Sequence, residues 1–101
     1  MSKLAFELEG AAEAEFYDIV DYYKQFDHAL SNDFIQEFED AVQRITKFPK
    51  AGHPYLHKTK RIFLNRFPYA IVYKFYRDKL IMVFAIMHMK QKPDYWEKRL
   101  K

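Results

Sequence analysis

Tyr69 to Met89 reads YAIVYKFYRDKLIMVFAIMHM. Two runs rich in Ile, Val, Phe and Tyr flank Arg77-Asp78-Lys79, the pattern of two antiparallel strands joined by a tight hairpin. Leu80 to Met87 is apolar at every position, so its strand is expected to be central and covered on both faces. Working upstream, Arg61 to Phe67 has the same composition and predicts a third strand. Pro68 ends it or marks a bulge, because proline has no N–H for a ladder. Lys50 to Lys58, punctuated by Ala51-Gly52-His53-Pro54, reads as a loop.

Further upstream the period lengthens. Leu30, Phe34, Phe38, Ala41, Ile45 and Phe48 form a stripe at helical spacing that must end at Pro49. Ala12, Phe16, Ile19, Tyr23 and Phe26 form another within Glu9 to Phe26, with Glu13, Glu15, Asp18 and Asp21 largely off it. Asp27 between them is an N-cap candidate. Lys3 to Glu7 alternates as a short edge strand with Leu4 and Phe6 on one side. Downstream, Pro93 opens a short helix expected over Asp94 to Leu100. The order β-α-α-β-β-β(-α) predicts an α+β fold, with a helical hairpin packed on one face of a mostly antiparallel sheet. The other face is expected to be free for binding.

The chain has 101 residues, room for one domain over 1–101. It contains no cysteine, which removes disulfide scaffolds, thiolate metal sites and thiol nucleophiles. That absence favours a reducing cytosol. No apolar run is long enough to span a bilayer, and no signal peptide is apparent, so a cytoplasmic location is expected. His53 and His57 have chelating spacing but share a loop with Pro54 and lack a nearby acid, so neither metal nor cofactor is expected. Charge divides the chain. Met1 to Leu56 holds 5 Lys+Arg against 11 Asp+Glu, a net of −6. His57 to Lys101 holds 12 against 3, a net of +9. An acidic or nucleic-acid partner for the second half is one reading; pairing between the halves is the other.

Several segments together resemble the RelE/ParE superfamily of toxins from type II toxin–antitoxin systems. They are Asn65-Arg66-Phe67-Pro68-Tyr69-Ala70-Ile71-Val72-Tyr73, Ala85-Ile86-Met87-His88 and Pro93-Asp94-Tyr95-Trp96, with Tyr22-Tyr23 and Phe48-Pro49 upstream. The likeness is to the ParE-type branch more than to RelE. It implies a toxin neutralised by a cognate antitoxin with an acidic or amphipathic tail. RelE-like members cleave mRNA on the ribosome without metal, whereas ParE-like members inhibit DNA gyrase.

Were the chain a metal-independent endoribonuclease, it would need a base, cations for the transition-state charge, and an acid. His88 is the acid/base candidate, Arg66 and Lys90 are candidate phosphate clamps, and Tyr95 and Trp96 offer stacking faces. The resemblance places an arginine near Arg66, a second where Lys90 stands, and a tyrosine near Tyr95. A further frequent arginine is replaced by Gln91. Lys60, Arg61, Lys92 and Trp96 complete a candidate nucleic-acid- or partner-binding surface. Each has a structural reading beside it. His88 can be a hydrogen-bonded strand-end histidine. Tyr95 and Trp96 can dock the last helix, and Lys60, Arg61 and Arg66 can be solvated edge charges. Three functions therefore compete: a nuclease toxin acting on mRNA, a toxin that inhibits gyrase by binding, and a non-toxic basic RNA- or protein-binding module. Assembly as a homodimer or as a toxin–antitoxin hetero-oligomer is open.

Overall fold

The computed structural model describes residues 5–77, 79–91 and 95–100. Strand β1 (Ala5–Leu8) leads into helix α1 (Gly10–Lys24), which turns back through Gln25 to Asp27 into α2 (His28–Lys47). Strands β2 (His53–Pro54), β3 (Lys60–Phe63), β4 (Tyr69–Tyr76) and β5 (Leu80–His88) follow, with single 3-10 turns at Leu56–Lys58 and Glu97–Arg99. Sheet order is β1-β5-β4-β3-β2; β1 runs parallel to β5 and every other pairing is antiparallel.

The caps explain the helix limits. Glu9 accepts from the Ala11 N–H at 2.7 Å, and Asp27 accepts from Ala29 at 2.9 Å as expected, each satisfying a donor that lacks an intrahelical partner. α2 stops one residue before Phe48-Pro49. Its stripe is the core on the helix side: Phe34, Phe38, Ala41 and Ile45 are buried with Ala12, Ile19 and Val20 of α1 and with Ile62, Ile71, Tyr73, Ile81, Val83 and Ile86 of the sheet. Phe26 and Phe48 depart from expectation. Both lie past the last helical turn of their stripes and are exposed, 67 % and 61 %.

Four further expectations need correction. The segment expected as loop contains the two-residue edge strand β2, paired with Lys60 and Arg61. β3 ends at Phe63 rather than Phe67. Phe67 is nevertheless buried, its ring 5.0 Å from Tyr23 and 5.5 Å from Phe34, because the turn before Pro68 folds it under the helices. The final helix is, among described residues, only the turn Glu97–Arg99; Lys3, Leu4, Lys92, Pro93 and Asp94 lie outside the described residues. Finally, the second sheet face is not free. Fully buried Trp96 packs there with Ala70, Val72, Phe84, Ala85 and Met87, flanked by Tyr55, Tyr95 and Leu100. A sheet whose interior strands are apolar on both sides requires such a cover.

One irregularity controls which way side chains point. Val72 pairs with Ala85, but Tyr73 pairs with Val83, so Phe84 is an extra residue on β5. A bulge of this kind shifts the alternation by one. Met82, Phe84, Ala85 and Met87 therefore face Trp96, whereas Ile81, Val83 and Ile86 face the helices.

Candidate functional site

The bulge moves His88. Simple alternation places it beside Leu80, Met82, Phe84 and Ile86; after the bulge it falls on the helix side, opposite Tyr69 in the ladder. The two rings meet edge-on at 5.1 Å. His88 Nδ1 accepts from the Lys90 N–H at 3.0 Å, which assigns the neutral ring the Nε2–H tautomer. The His88 N–H donates to Gln91 Oε1 at 2.7 Å, and the Gln91 N–H returns to the His88 carbonyl. Gln91 thus closes a turn. The Met89 N–H donates to the Pro68 carbonyl and ties this turn to the β3–β4 loop. Arg66 and Lys90 consequently sit at the same end of the sheet as His88.

Arg66 is not idle there. Its guanidinium reaches Asp33 at 2.9 Å and Glu37 at 3.4 Å. Glu37 also accepts from the Asn65 and Arg66 N–H groups, so the loop is pinned to α2. The hydrogen bond and charge of Asp33 hold the Arg66 pKa above its ordinary value. Lys90 is exposed.

Tyr95 lies elsewhere, across the open edge of β5 beyond the reach of β1. Its hydroxyl donates to Glu15 Oε2 at 2.7 Å. Arg99 donates to both Glu15 oxygens, at 2.9 and 3.1 Å, and to the Phe84 carbonyl at 2.8 Å. Glu15 Oε1 also accepts from the Ile86 N–H at 3.0 Å. One carboxylate from α1 therefore caps the sheet edge and clamps the C-terminal segment onto it. Burial, reinforced by the Glu15 hydrogen bond, raises the Tyr95 pKa far above that of a free phenol. For Arg99 burial works against the charge, but the Glu15 contacts outweigh it and the pKa ends raised. Trp96 is fully buried, so both faces of its ring are occupied by protein.

Arg61 and Lys60 point to opposite faces of β3. Lys60 shares the side of Ile62 and is half-buried. Arg61 lies on the Trp96 side, its guanidinium 4.0 Å over the Tyr55 ring and 4.9 Å from Phe63. His57 pairs with Glu97 at 3.3 Å, and no cluster of His, Cys, Asp or Glu able to hold a metal occurs among the described residues. The candidate residues thus divide into three places: Arg66, His88 and Lys90 at one sheet end, Tyr95 at the β5 edge, and Arg61 with Trp96 on the second face. Glu15 and Glu37, which organise two of them, carry no local signal, since their partners lie 71–84 and 28–29 residues away in sequence.

Residues 6–93, which span this frame, match the model of the ParE toxin of type II toxin–antitoxin systems. The chain belongs to the ParE toxin family. That membership makes it a type II toxin by family and implies a cognate antitoxin. A solved structure described as the chromosomal ParDE toxin–antitoxin system from P. aeruginosa is similar in fold, with a TM-score of 0.72 at 15 % identity. The alignment covers 87 % of this chain and 98 % of that one. A search of curated proteins found no match. No helix among the described residues is long and apolar enough to cross a membrane.

The tyrosine environment gives a pH prediction. Burial, with Tyr23 adding to it, pushes the Tyr69 pKa up to about 12. A phenol whose folded pKa exceeds its unfolded value of 10 contributes stability that is complete below pH 10 and lost as pH rises toward 12. Urea titrations are therefore expected to show constant stability from neutral pH to about 9.5 and a progressive fall above it. Tyr69→Phe should flatten part of that fall.

Proposed function

We propose that this ParE-family toxin arrests growth by binding its target without cleaving RNA, and that the target is DNA gyrase inside the cytoplasm. The observation that supports this is the commitment of the candidate cleaving groups to structural bonds. General acid–base catalysis needs a base and an acid converging on one reacting point. Here the Tyr95 hydroxyl is held by Glu15, His88 Nδ1 is held by Lys90, and Arg66 is held by Asp33 and Glu37. Lys90, with a point charge in place of an arginine fork, is a poor substitute for bidentate stabilisation.

Purified protein is expected to block supercoiling by gyrase while leaving mRNA intact in a translating extract. Induced expression without an antitoxin should halt growth. mRNA fragments that disappear on Arg66→Ala and Lys90→Ala would instead establish the nuclease reading. Undisturbed growth and undisturbed gyrase would establish the non-toxic one.

A further inference from the structure

Two turns at one end of the sheet are built against backbone preference. In the β4–β5 turn Arg77 has a φ of 51°, and in the β2–β3 turn His57 and Lys58 have φ of 57° and 64°. This left-handed region favours Gly or Asn, because a Cβ there crowds the following carbonyl. An arginine or lysine held in it points to a use for the side chain. His57 has a structural one: its ring meets Glu97 at 3.3 Å and the Trp96 ring edge-on at 5.8 Å. Arg77 and Lys58 have no such use among the described residues. Both are exposed, and neither forms an ion pair there.

The two turns project side by side. β3 begins beside the end of β4, with Lys60 opposite Tyr73, and the turn centres are two strand spacings apart, about 10 Å. Their charge is one-sided: residues 56–59 and 74–79 carry Lys58, Lys74, Arg77 and Lys79 against Asp78 alone. Nearby Glu97 is taken by His57, and Glu7 lies two strands from Lys74, across Met82. The spacing fits phosphates on the two walls of a DNA major groove, about 12 Å wide. A single strand would need free aromatic faces. Phe75 and Tyr76 offer none, since each packs against a core cluster and Lys74 Nζ lies 5.4 Å from the Tyr76 ring centre. An amphipathic peptide would need apolar anchors, and of the exposed large apolar side chains only Leu56 belongs to these turns. We propose that the two turns form a contact for the phosphate backbone of duplex DNA, independent of base sequence. The contact does not rest on gyrase recognition and is measured with no gyrase present.

The test is fluorescence anisotropy of the full-length protein with two labelled DNA duplexes of equal length and unrelated sequence. Both should bind alike. Log affinity should fall against log salt with a slope of about −3 to −4, four cations at about 0.9 each. Lys58→Gly combined with Arg77→Gly should weaken both duplexes by about tenfold or more and bring the slope to about −2. The urea midpoint of this variant should stay close to the parent's, since relief of the left-handed strain offsets glycine's extra freedom in the unfolded chain. Lys24→Gln with Arg44→Gln removes equal charge elsewhere: Lys24 adjoins Tyr23, which meets Phe67, and Arg44 lines a groove with Asn65. At about 0.1 M salt, where charges more than about 10 Å away are largely screened, that pair should change duplex binding little. The proposal is overturned if neither duplex binds, if one is strongly preferred, if the turn variant binds as the parent does, or if the distant pair loses as much. It is equally overturned if an oligothymidylate or a capped tetraglutamate peptide binds the parent more tightly than the duplexes.

Discussion

Replacing Glu15 by alanine is expected to cost about 3 kcal/mol of unfolding free energy, the low end for breaking a buried ion pair by removing one partner. The low end applies because Arg99 and Glu15 keep side-chain exposures of 18 % and 20 %. Besides Arg99, one arm of which loses its acceptor, two other groups are left without theirs: the Tyr95 hydroxyl and the Ile86 N–H. Glu15→Gln retains an oxygen for Ile86 but leaves Arg99 uncompensated, and about half the loss is expected. Urea unfolding measures both. The C-terminal segment should also loosen, and the emission of the single tryptophan should shift red under native conditions. A Glu15→Ala protein within about 0.5 kcal/mol of the parent, the range of an ordinary surface substitution, would refute the clamp.

Gly52→Ala is expected to be nearly as damaging for a different reason. A Cβ at this position would stand 2.5 Å from the Tyr73 hydroxyl oxygen and 2.9 Å from its ring carbon Cε1. Tyr73 is completely buried and cannot swing away. Its hydroxyl accepts from the Gly52 N–H at 2.9 Å and donates to the Pro49 carbonyl at 2.8 Å, which fixes the chain between α2 and β2. Overpacking a rigid site of this kind costs about 2–3 kcal/mol. Tyr73→Phe alone should cost about 1 kcal/mol for the two lost bonds. In that background the oxygen is gone, and Gly52→Ala should become milder by about 1 kcal/mol, a coupling that a double-mutant cycle reads directly. Strict additivity would mean that the glycine is required for something other than this close approach.

Much of the fold is legible along the chain because the signals are local. Asp27 caps α2 with its own side chain, Pro49 follows the end of α2, and the hairpin at Arg77 turns between two runs of strand formers. The stripe Phe34, Phe38, Ala41 and Ile45 is buried where helical periodicity places it. Misjudged positions lie where periodicity loses its anchor. Phe26 and Phe48 fall beyond the last turns, and His88 falls beyond a bulge that reverses every later side chain of β5.

The candidate site was less legible for the same physical reason. A basic residue type announces a charge, but whether that charge is available depends on a carboxylate brought up from elsewhere. Asp33 and Glu37 claim Arg66, Glu15 claims Arg99 and Tyr95, and nothing among the described residues claims Arg61. The sequence by itself determined the order of elements, the acidic and basic halves, and the toxin-family resemblance, since each rests on neighbouring residues. Only the tertiary structure decided which sheet face Trp96 closes, which side of β5 carries His88 and which of the half-buried arginines, Arg61 or Arg99, meets a carboxylate among the described residues. Those follow from contacts between distant segments, where strand register and packing, rather than residue type, set the outcome.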